Sequence, residues 1–514
     1  MPACGSDSSA PGTRGTLPDA DASADASSTE PRPDAGGVDS GREVSRVDIQ
    51  LVPEVASSSV RRVNFAVPLA PGLLVDIDAV EVRAGGVALE TGRRALATWP
   101  DGSLRSVQLQ LDLAVSGATP LEIRLGGPPV TKNLPLATVT ETLTTVDGAD
   151  VPAVWAVLPS AWLAESRVAG PALTSAGTPA APESPWDRIC AYETFGTSAF
   201  LAAKDDAQSW LYDRPTIFYR GYQRTGSAAV LRAAYVEAGL YRAGITGTGD
   251  ATRIGVPGAA DDLKYHYGQG LALHYLLSGD DRFREAAEDI AIRAHALWPS
   301  PGYDGGADFW TERHAGFALL AYEWAAAVSD DRAATFRGWA NEAVEAYLAV
   351  QATHPAGYTS TTARCFAHTG EAHGESWSYF GCSPWMSAIL AESLDAHAER
   401  LAAEGNAAGA QKARASLVQL GRFMVEQGRD GTGRPLYWAG VGVDTDEADA
   451  YEEHWGETAY VVALGWASSG KSDAALEQAA DALVAGMGAK GVVGQLRSFN
   501  WQCRTGVMTP ALLR

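Results

Sequence analysis

The sequence predicts a multidomain α and β protein: an N-terminal antiparallel β-sandwich followed by an (α/α)n toroid, complete or incomplete. Three observations carry this expectation. Apolar residues alternate with a period near two from about residue 47 to residue 146. After about Trp186 the period becomes 3.6, in five stretches each broken once by a short polar joint. The connections between those stretches are long and rich in aromatic and basic side chains.

Residues 1–46 come before this pattern. They are dominated by Ala, Asp, Ser, Gly, Pro and Thr, hold no aromatic residue, and have Val38 and Val44 as their only β-branched aliphatics. Such a segment cannot bury enough apolar surface to offset its ordering entropy, so a disordered tether is expected. Cys4, in Pro2-Ala3-Cys4-Gly-Ser-Asp-Ser-Ser, looks like the start of a mature bacterial lipoprotein. The expectation is a secreted or cell-envelope protein with a lipid anchor at Cys4; the competing reading is an incidental cysteine in a tail.

Residues 47–150 are expected to form the sandwich. Val63-Asn-Phe-Ala-Val-Pro-Leu, Ser106-Val-Gln-Leu-Gln-Leu-Asp-Leu and Leu121-Glu-Ile-Arg-Leu alternate apolar with polar positions, between Gly-Gly, Pro-Gly and Asp-Gly turns. Residues 151–205 read as a linker wrapping onto the toroid, which occupies 206–514.

In the toroid the long connections run about 244–261, 298–310, 352–384, 428–454 and 488–505, and the helical stretches run 210–242, 262–297, 311–350, 385–427 and 455–487. Their joints, such as Ser278-Gly-Asp-Asp and Glu404-Gly-Asn, combine a Gly that ends one helix with a Ser, Asp or Asn that caps the next. Helices closed tightly at one end and joined by long loops at the other describe a toroid with its cleft at the long-loop end. A solenoid is the alternative, but solenoid repeats are shorter and more uniform.

With 40 Lys and Arg against 62 Asp and Glu, the net charge is −22. That balance argues against nucleic acid or an anionic membrane surface as the main partner. No run of about 18 apolar residues is present, so no membrane-spanning helix is expected. Setting Cys4 aside, Cys190, Cys365, Cys382 and Cys503 form an even set. Cys365 and Cys382 flank one long loop and would bridge it in an oxidising compartment, with buried free thiols as the alternative.

The first helix of each hairpin opens on a chemically dense cluster: Trp210-Leu-Tyr-Asp-Arg, Lys264-Tyr-His-Tyr-Gly, Trp310-Thr-Glu-Arg-His, Trp377-Ser-Tyr-Phe-Gly-Cys-Ser-Pro-Trp385 and Glu452-Glu-His-Trp-Gly-Glu. If these helices form an inner layer, the five starts converge. Aromatic faces that stack on sugar rings, beside polar groups that hold hydroxyls and carboxylates, make a saccharide-binding groove.

The segments Asn64-Phe-Ala-Val-Pro-Leu-Ala-Pro-Gly, Trp99-Pro-Asp-Gly-Ser-Leu-Arg-Ser, Asp213-Arg-Pro, Leu263-Lys-Tyr-His-Tyr-Gly, Leu276-Leu-Ser-Gly-Asp and Glu312-Arg-His-Ala resemble the rhamnogalacturonan exolyase-like family. The likeness spans about residues 60–470 in short scattered motifs. It implies a β domain joined to an α/α-toroid polysaccharide lyase acting on an acidic polysaccharide. The wider group of toroid lyases usually places the β domain after the toroid; here it comes first.

A lyase of this kind removes the C5 proton of a uronate and expels the 4-O substituent. It must neutralise the adjacent carboxylate, take the proton and protonate the leaving oxygen. Lys264 and Arg313, with Arg220 or Arg224, are the candidate carboxylate clamps. His314 and His373 are candidate bases, and Tyr265, Tyr267 or Tyr379 candidate base or acid. Trp310, Trp377 and Trp455 are expected platforms, and His266, His454 and Glu375 further substrate contacts. Of Tyr265 and Tyr267 at most one is expected to face the cleft.

A glycoside hydrolase is the alternative, with its two carboxyl groups drawn from Asp262, Glu312, Glu375, Glu453 and Glu457. A non-catalytic glycan-binding lipoprotein is the third reading. No cofactor is expected. His368, His373 and Glu375 match no standard zinc spacing, which makes a divalent cation the minor reading.

Overall fold

Ten strands open the structure: β1 (Ser45–Pro53), β2 (Val60–Pro68), β3 (Val80–Ala84), β4 (Val87–Ala88), β5 (Gly92–Thr98), β6 (Leu104–Ala114), β7 (Thr119–Leu125), β8 (Leu143–Val146), β9 (Ala149–Pro152) and β10 (Val154–Val157). This computed structural model describes residues 44–178, 184–259, 261–299, 311–490 and 494–514, and His373 through its backbone alone. The expected tether and Cys4, up to residue 43, lie outside the described residues.

Two antiparallel sheets form, in the orders β10-β1-β7-β3-β4 and β2-β6-β5, with β8 and β9 as a separate hairpin. In β1 the residues Val47, Ile49 and Leu51 are buried and those between them face out, as the pleat dictates. The five-stranded sheet ends with β10, which pairs with β1 from Gln50↔Val157 to Pro53↔Val154. The β region therefore extends to Val157, beyond the expected boundary at 150.

The three-stranded sheet departs from the half-exposed pattern its alternation suggests. Val63–Pro68 of β2 and Ser106–Leu111 of β6 are buried at every position, polar residues included. The reason is the first helix of the second long hairpin, Gly268–Ser278, which packs beneath it. After the short α1 (Ser160–Ser166), α2 (Pro185–Ile189) and α3 (Thr197–Ala203) come α4 (Arg214–Thr225), α5 (Ala228–Ala243), α6 (Gly268–Ser278) and α7 (Asp281–Leu297).

The last carbonyls of α6 have no partner within the helix, and the polar face of the sheet supplies donors. Asn64 Nδ2 donates to the Ser278 carbonyl at 2.7 Å and Ser106 Oγ to that of Leu276 at 2.6 Å. Arg94 donates to the Gly279 carbonyl and pairs with Asp281 at 2.7 Å. Gly279 ends α6 at φ +72°, and a Cβ there would meet Gln108 at 2.4 Å, so both backbone shape and space demand glycine.

The remaining helices are α8 (Glu312–Val328), α9 (Ala333–Thr353), α10 (Ser387–Ala403), α11 (Ala407–Glu426), α12 (Trp455–Ser468), α13 (Ala474–Lys490), α14 (Leu496–Thr505) and α15 (Thr509–Leu512). The five hairpins α4/α5, α6/α7, α8/α9, α10/α11 and α12/α13 fall on the expected stretches and joints. The segment 488–505, expected to be a connection, contains the helix α14 instead. The first helices touch in succession: α4 on α6, α6 on α8, α8 on α10, α10 on α12, α12 on α14, and α14 on α4.

A buried polar network joins four of them. Glu392 of α10 receives hydrogen bonds from Arg220 of α4, from Arg504 of α14 and, at 3.0 Å, from Gln269 of α6. Gln269 in turn accepts from Arg504 at 2.6 Å. A single carboxylate serving two guanidinium groups in the interior fixes the register of the helices that carry them; removing one partner would strand buried charge.

The connections are structured as well. β11 (Ile245–Thr246) pairs with β12 (Arg253–Ile254). β13 (His368–Thr369), β14 (Phe380–Cys382), β15 (Leu436–Gly440) and β16 (Glu447–Ala448) form one four-stranded sheet. That sheet ties the connection before α10 to the one before α12. Cys365 bonds to Cys382, as expected, closing the first of these connections, and Cys190 bonds to Cys503, a pairing the spacing did not reveal. No helix among the described residues is long and apolar enough to cross a membrane.

Candidate active site

The starts of the first helices bring together side chains far apart in sequence. Thr311 caps α8, its hydroxyl accepting from the His314 amide, and this places Arg313 and His314 in the first turn. Gly270 lets α6 approach α4 so closely that a Cβ would meet Asp213 Oδ1 at 2.4 Å. Tyr212 and Asp213, both with positive φ, bend the chain into α4 so that the Tyr212 ring lies 6.1 Å from Trp385. Trp385 stacks on His454 at 4.9 Å and lies 5.5 Å from Trp501 and 5.6 Å from Tyr437.

Arg313 sits in this aromatic cluster, its guanidinium 5.7 Å from the Trp385 ring centre. It is 8% exposed and makes no ion pair with any carboxylate among the described residues. Its Nε is buried without a hydrogen-bond partner. Arg313 donates to the Tyr212 hydroxyl, but a guanidinium withdrawn from water without a carboxylate is costly, which is why buried arginines almost always hold an anion. Three phenols surround it. Burial pushes Tyr265 up to about 12 and raises Tyr212 and Tyr437 further, while Arg313 opposes the rise in all three.

The carboxylates nearby are already engaged. Asp262 accepts from His314 Nε2 at 3.0 Å and pairs with Lys264 at 2.7 Å. Burial works against its ionisation, yet these two partners hold it well below the usual carboxylate range. Glu312 is wholly buried against His368 Nε2 at 2.6 Å and accepts from the Ser383 amide at 2.9 Å. Glu457 is buried beside His454 Nδ1 at 3.2 Å, and Glu453 accepts from Ser498.

Several expected roles change in this setting. His314 lies beside Arg313 as anticipated, but its Nε2 faces Asp262 and its Nδ1 lies 2.6 Å from the Thr311 hydroxyl. Both nitrogens are engaged, so the geometry fits a positioning residue rather than the proton acceptor. Burial lowers its pKa, against the pull of Asp262. Lys264 is likewise held by Asp262 and is no free clamp.

Arg220 belongs to the central Glu392 network, and Arg224 is buried against Asp187 at 2.8 Å and Thr178. Neither reaches the aromatic cluster as a substrate clamp. His266 is fully buried, its Nδ1 3.0 Å from the Asp262 carbonyl. Tyr267 is buried too, its hydroxyl accepting from the Tyr212 amide at 3.1 Å, so of the two tyrosines Tyr265 faces the site. Trp455 is 8% exposed and packs where a Cβ on Gly486 would sit, so it is a packing residue and no platform.

His454 is buried but forms part of the aromatic floor. Trp377 is half-buried, 6.1 Å from Tyr437, and sits at the rim. Glu375 is half-buried on the same side, its charge felt by Tyr437. Tyr379 donates to Glu447 at 3.1 Å across the small sheet, apart from the Arg313 cluster. Trp310 and the His373 side chain lie outside the described residues. Among the described residues no group of three His, Cys, Asp or Glu could hold a metal ion.

Sequence reasoning missed Tyr212, Tyr437, Trp385 and Trp501 as site residues. Trp385 ends one of the dense clusters and Tyr212 lies within another, so a signal was present. Tyr437 and Trp501 sit in segments read as connections, and only the small sheet and α14 bring them in. Compared with family profiles, characterised proteins and solved structures, the chain finds no match.

Proposed function

We propose that this protein is a polysaccharide lyase that cleaves a uronate-containing polysaccharide by β-elimination, on an α/α toroid joined to an N-terminal β-sandwich. The succession of helix contacts that runs from α4 through α14 and back to α4 supports the toroid. The motif likeness to the rhamnogalacturonan exolyase-like family agrees with both fold and chemistry.

The observation that carries the reading is Arg313: a nearly buried, unpaired guanidinium among three phenols. A uronate carboxylate pairs with it bidentately, which withdraws charge and acidifies the C5 proton. Tyr265, as phenolate, takes that proton. The electron pair forms the C4–C5 double bond, the C4–O bond breaks, and a phenol, Tyr437 or the newly protonated Tyr265, returns a proton to the leaving oxygen. Trp377, half-buried at the rim 6.1 Å from Tyr437, offers a face for a sugar ring.

The hydrolase reading is weaker because its carboxyl groups are committed: Asp262 to Lys264 and His314, Glu312 to His368, and Glu457 to His454. Two disulfides suit a secreted or cell-envelope protein. The test is to present alginate, pectic, hyaluronan, chondroitin and glucuronan substrates while following the ultraviolet absorbance of the conjugated, unsaturated uronate. A rise on one polymer supports elimination and names its uronate. New reducing ends without absorbance would overturn it in favour of hydrolysis.

A further inference from the structure

A second chemically equipped cavity, of about 840 Å³, lies away from the Arg313 cluster. That volume is within the roughly 300–1,000 Å³ of small-molecule sites. Its walls come from the β5–β6 turn and the start of β6, from the C-terminal parts of α8 and α10 and from α11, and Arg220, Gln269 and Glu392 of the central network also line it. Arg313 and Trp324 are both on α8, eleven residues apart, so the two places are separated by about 16 Å along the helix axis.

The cavity contains charge that the fold does not use. The Arg105 guanidinium is held between two indole faces, 4.5 Å from Trp99 and 4.8 Å from Trp324, and its Nε is buried with no hydrogen-bond partner. Burial lowers it to about 10, against the pull of Glu399. Arg414 also lines the cavity and makes no ion pair among the described residues. Facing them on α10 are Asp395 and Glu399, one turn apart. Glu399 pairs with Arg167 at 2.6 Å, whereas Asp395 has no hydrogen-bond partner among the described residues. Burial and the neighbouring Glu399 push Asp395 well above the usual carboxylate range.

We propose that this cavity is a second ligand site, for a sugar acid: a carboxylate held by Arg105 and Arg414, with ring hydroxyls hydrogen-bonded to Asp395 and Glu399. Planar guanidinium groups with open donors select a carboxylate. Carboxyl groups that need donors select hydroxyls. The assignment stands on this lining and does not depend on the activity proposed for the Arg313 cluster.

The full-length protein titrated with glucuronate, galacturonate and, as the neutral control, glucose tests it by calorimetry and by tryptophan fluorescence, since Trp99 and Trp324 border the site. Saturable binding of a uronate but not of glucose is expected. The partly exposed Arg414→Gln should weaken it about tenfold or more, the effect of one charge-assisted hydrogen bond, and Asp395→Ala about threefold or more, the effect of a neutral one, with thermal melts showing that both variants fold. No saturable uronate binding, equal binding of glucose, or binding lost in Arg313→Lys but kept in the other two variants would each overturn the proposal. An inactive enzyme that still binds uronate here would separate this site from the lyase reading.

Discussion

Arg313 and Trp385 belong to the same cluster, the guanidinium over the indole 5.7 Å from its centre, and the indole continues the stack to His454 at 4.9 Å. The cation comes from the start of α8, the indole from the turn before α10 and the imidazole from the cap of α12. Three helices thus hold one positive charge against an aromatic surface, and no carboxylate among the described residues is paired with it.

If that charge binds the substrate carboxylate, Arg313→Ala should lower kcat/KM on a uronate polymer by about 10²–10³, the loss seen when one preorganised donor is removed. Because Arg313 makes no ion pair among the described residues, its thermal midpoint should stay close to that of the wild type. Steady-state kinetics beside a melting curve checks both. A large loss of stability with unchanged kcat/KM would assign it to the framework instead.

Tyr265→Phe should reduce kcat by about 10²–10⁴ with a smaller effect on KM, the usual range for a general base. The wild-type phenol is pushed up to about 12 by burial, with Arg313 opposing, so the phenolate fraction grows with pH. The rate should therefore climb from neutral into mildly alkaline solution, and this climb should vanish in the Phe variant.

Glu392→Gln leaves Arg220 and Arg504 without their shared carboxylate in the interior. The expected loss is about 3–5 kcal/mol in urea unfolding, with KM unchanged in the fraction that remains folded. An altered KM without loss of stability would return Arg220 to the substrate.

His274 is buried, stacked on Phe283 at 3.6 Å with Nδ1 2.7 Å from the Tyr219 hydroxyl, and burial lowers its pKa from 6.5 to about 3. The folded state keeps it neutral, whereas the unfolded chain protonates below 6.5. Its contribution is therefore full above pH 6.5 and falls by about 1.4 kcal/mol per pH unit as the pH drops from there toward 3. His274→Gln should flatten that part of the stability curve, measured by urea unfolding at several pH values.

The helical part was legible because each joint announces itself. Ser278-Gly279-Asp280 gives a left-handed glycine at the end of α6 and a side-chain cap for α7, and a period of 3.6 flanks it. α14 was not, because Asn500 and Arg504 look solvent-facing in sequence and are buried against partners in α4, α6 and α10. The alternation of β2 and β6 misled for the same reason: Asn64 and Ser106 face the end of α6 rather than water. At the site, residue type marked Arg313, Tyr265 and His314, but only three-dimensional pairing separates the unpaired Arg313 from Lys264, Arg220 and Arg224, which already hold carboxylates.

The Cys190–Cys503 bond joins residues 313 positions apart, just before α3 and near the end of α14. The whole succession of hairpins from α4 to α13 lies inside that one covalent loop. A protease that cut any exposed connection within it would yield a nicked molecule, not two pieces. Such a molecule should migrate as a single species until a reductant is added.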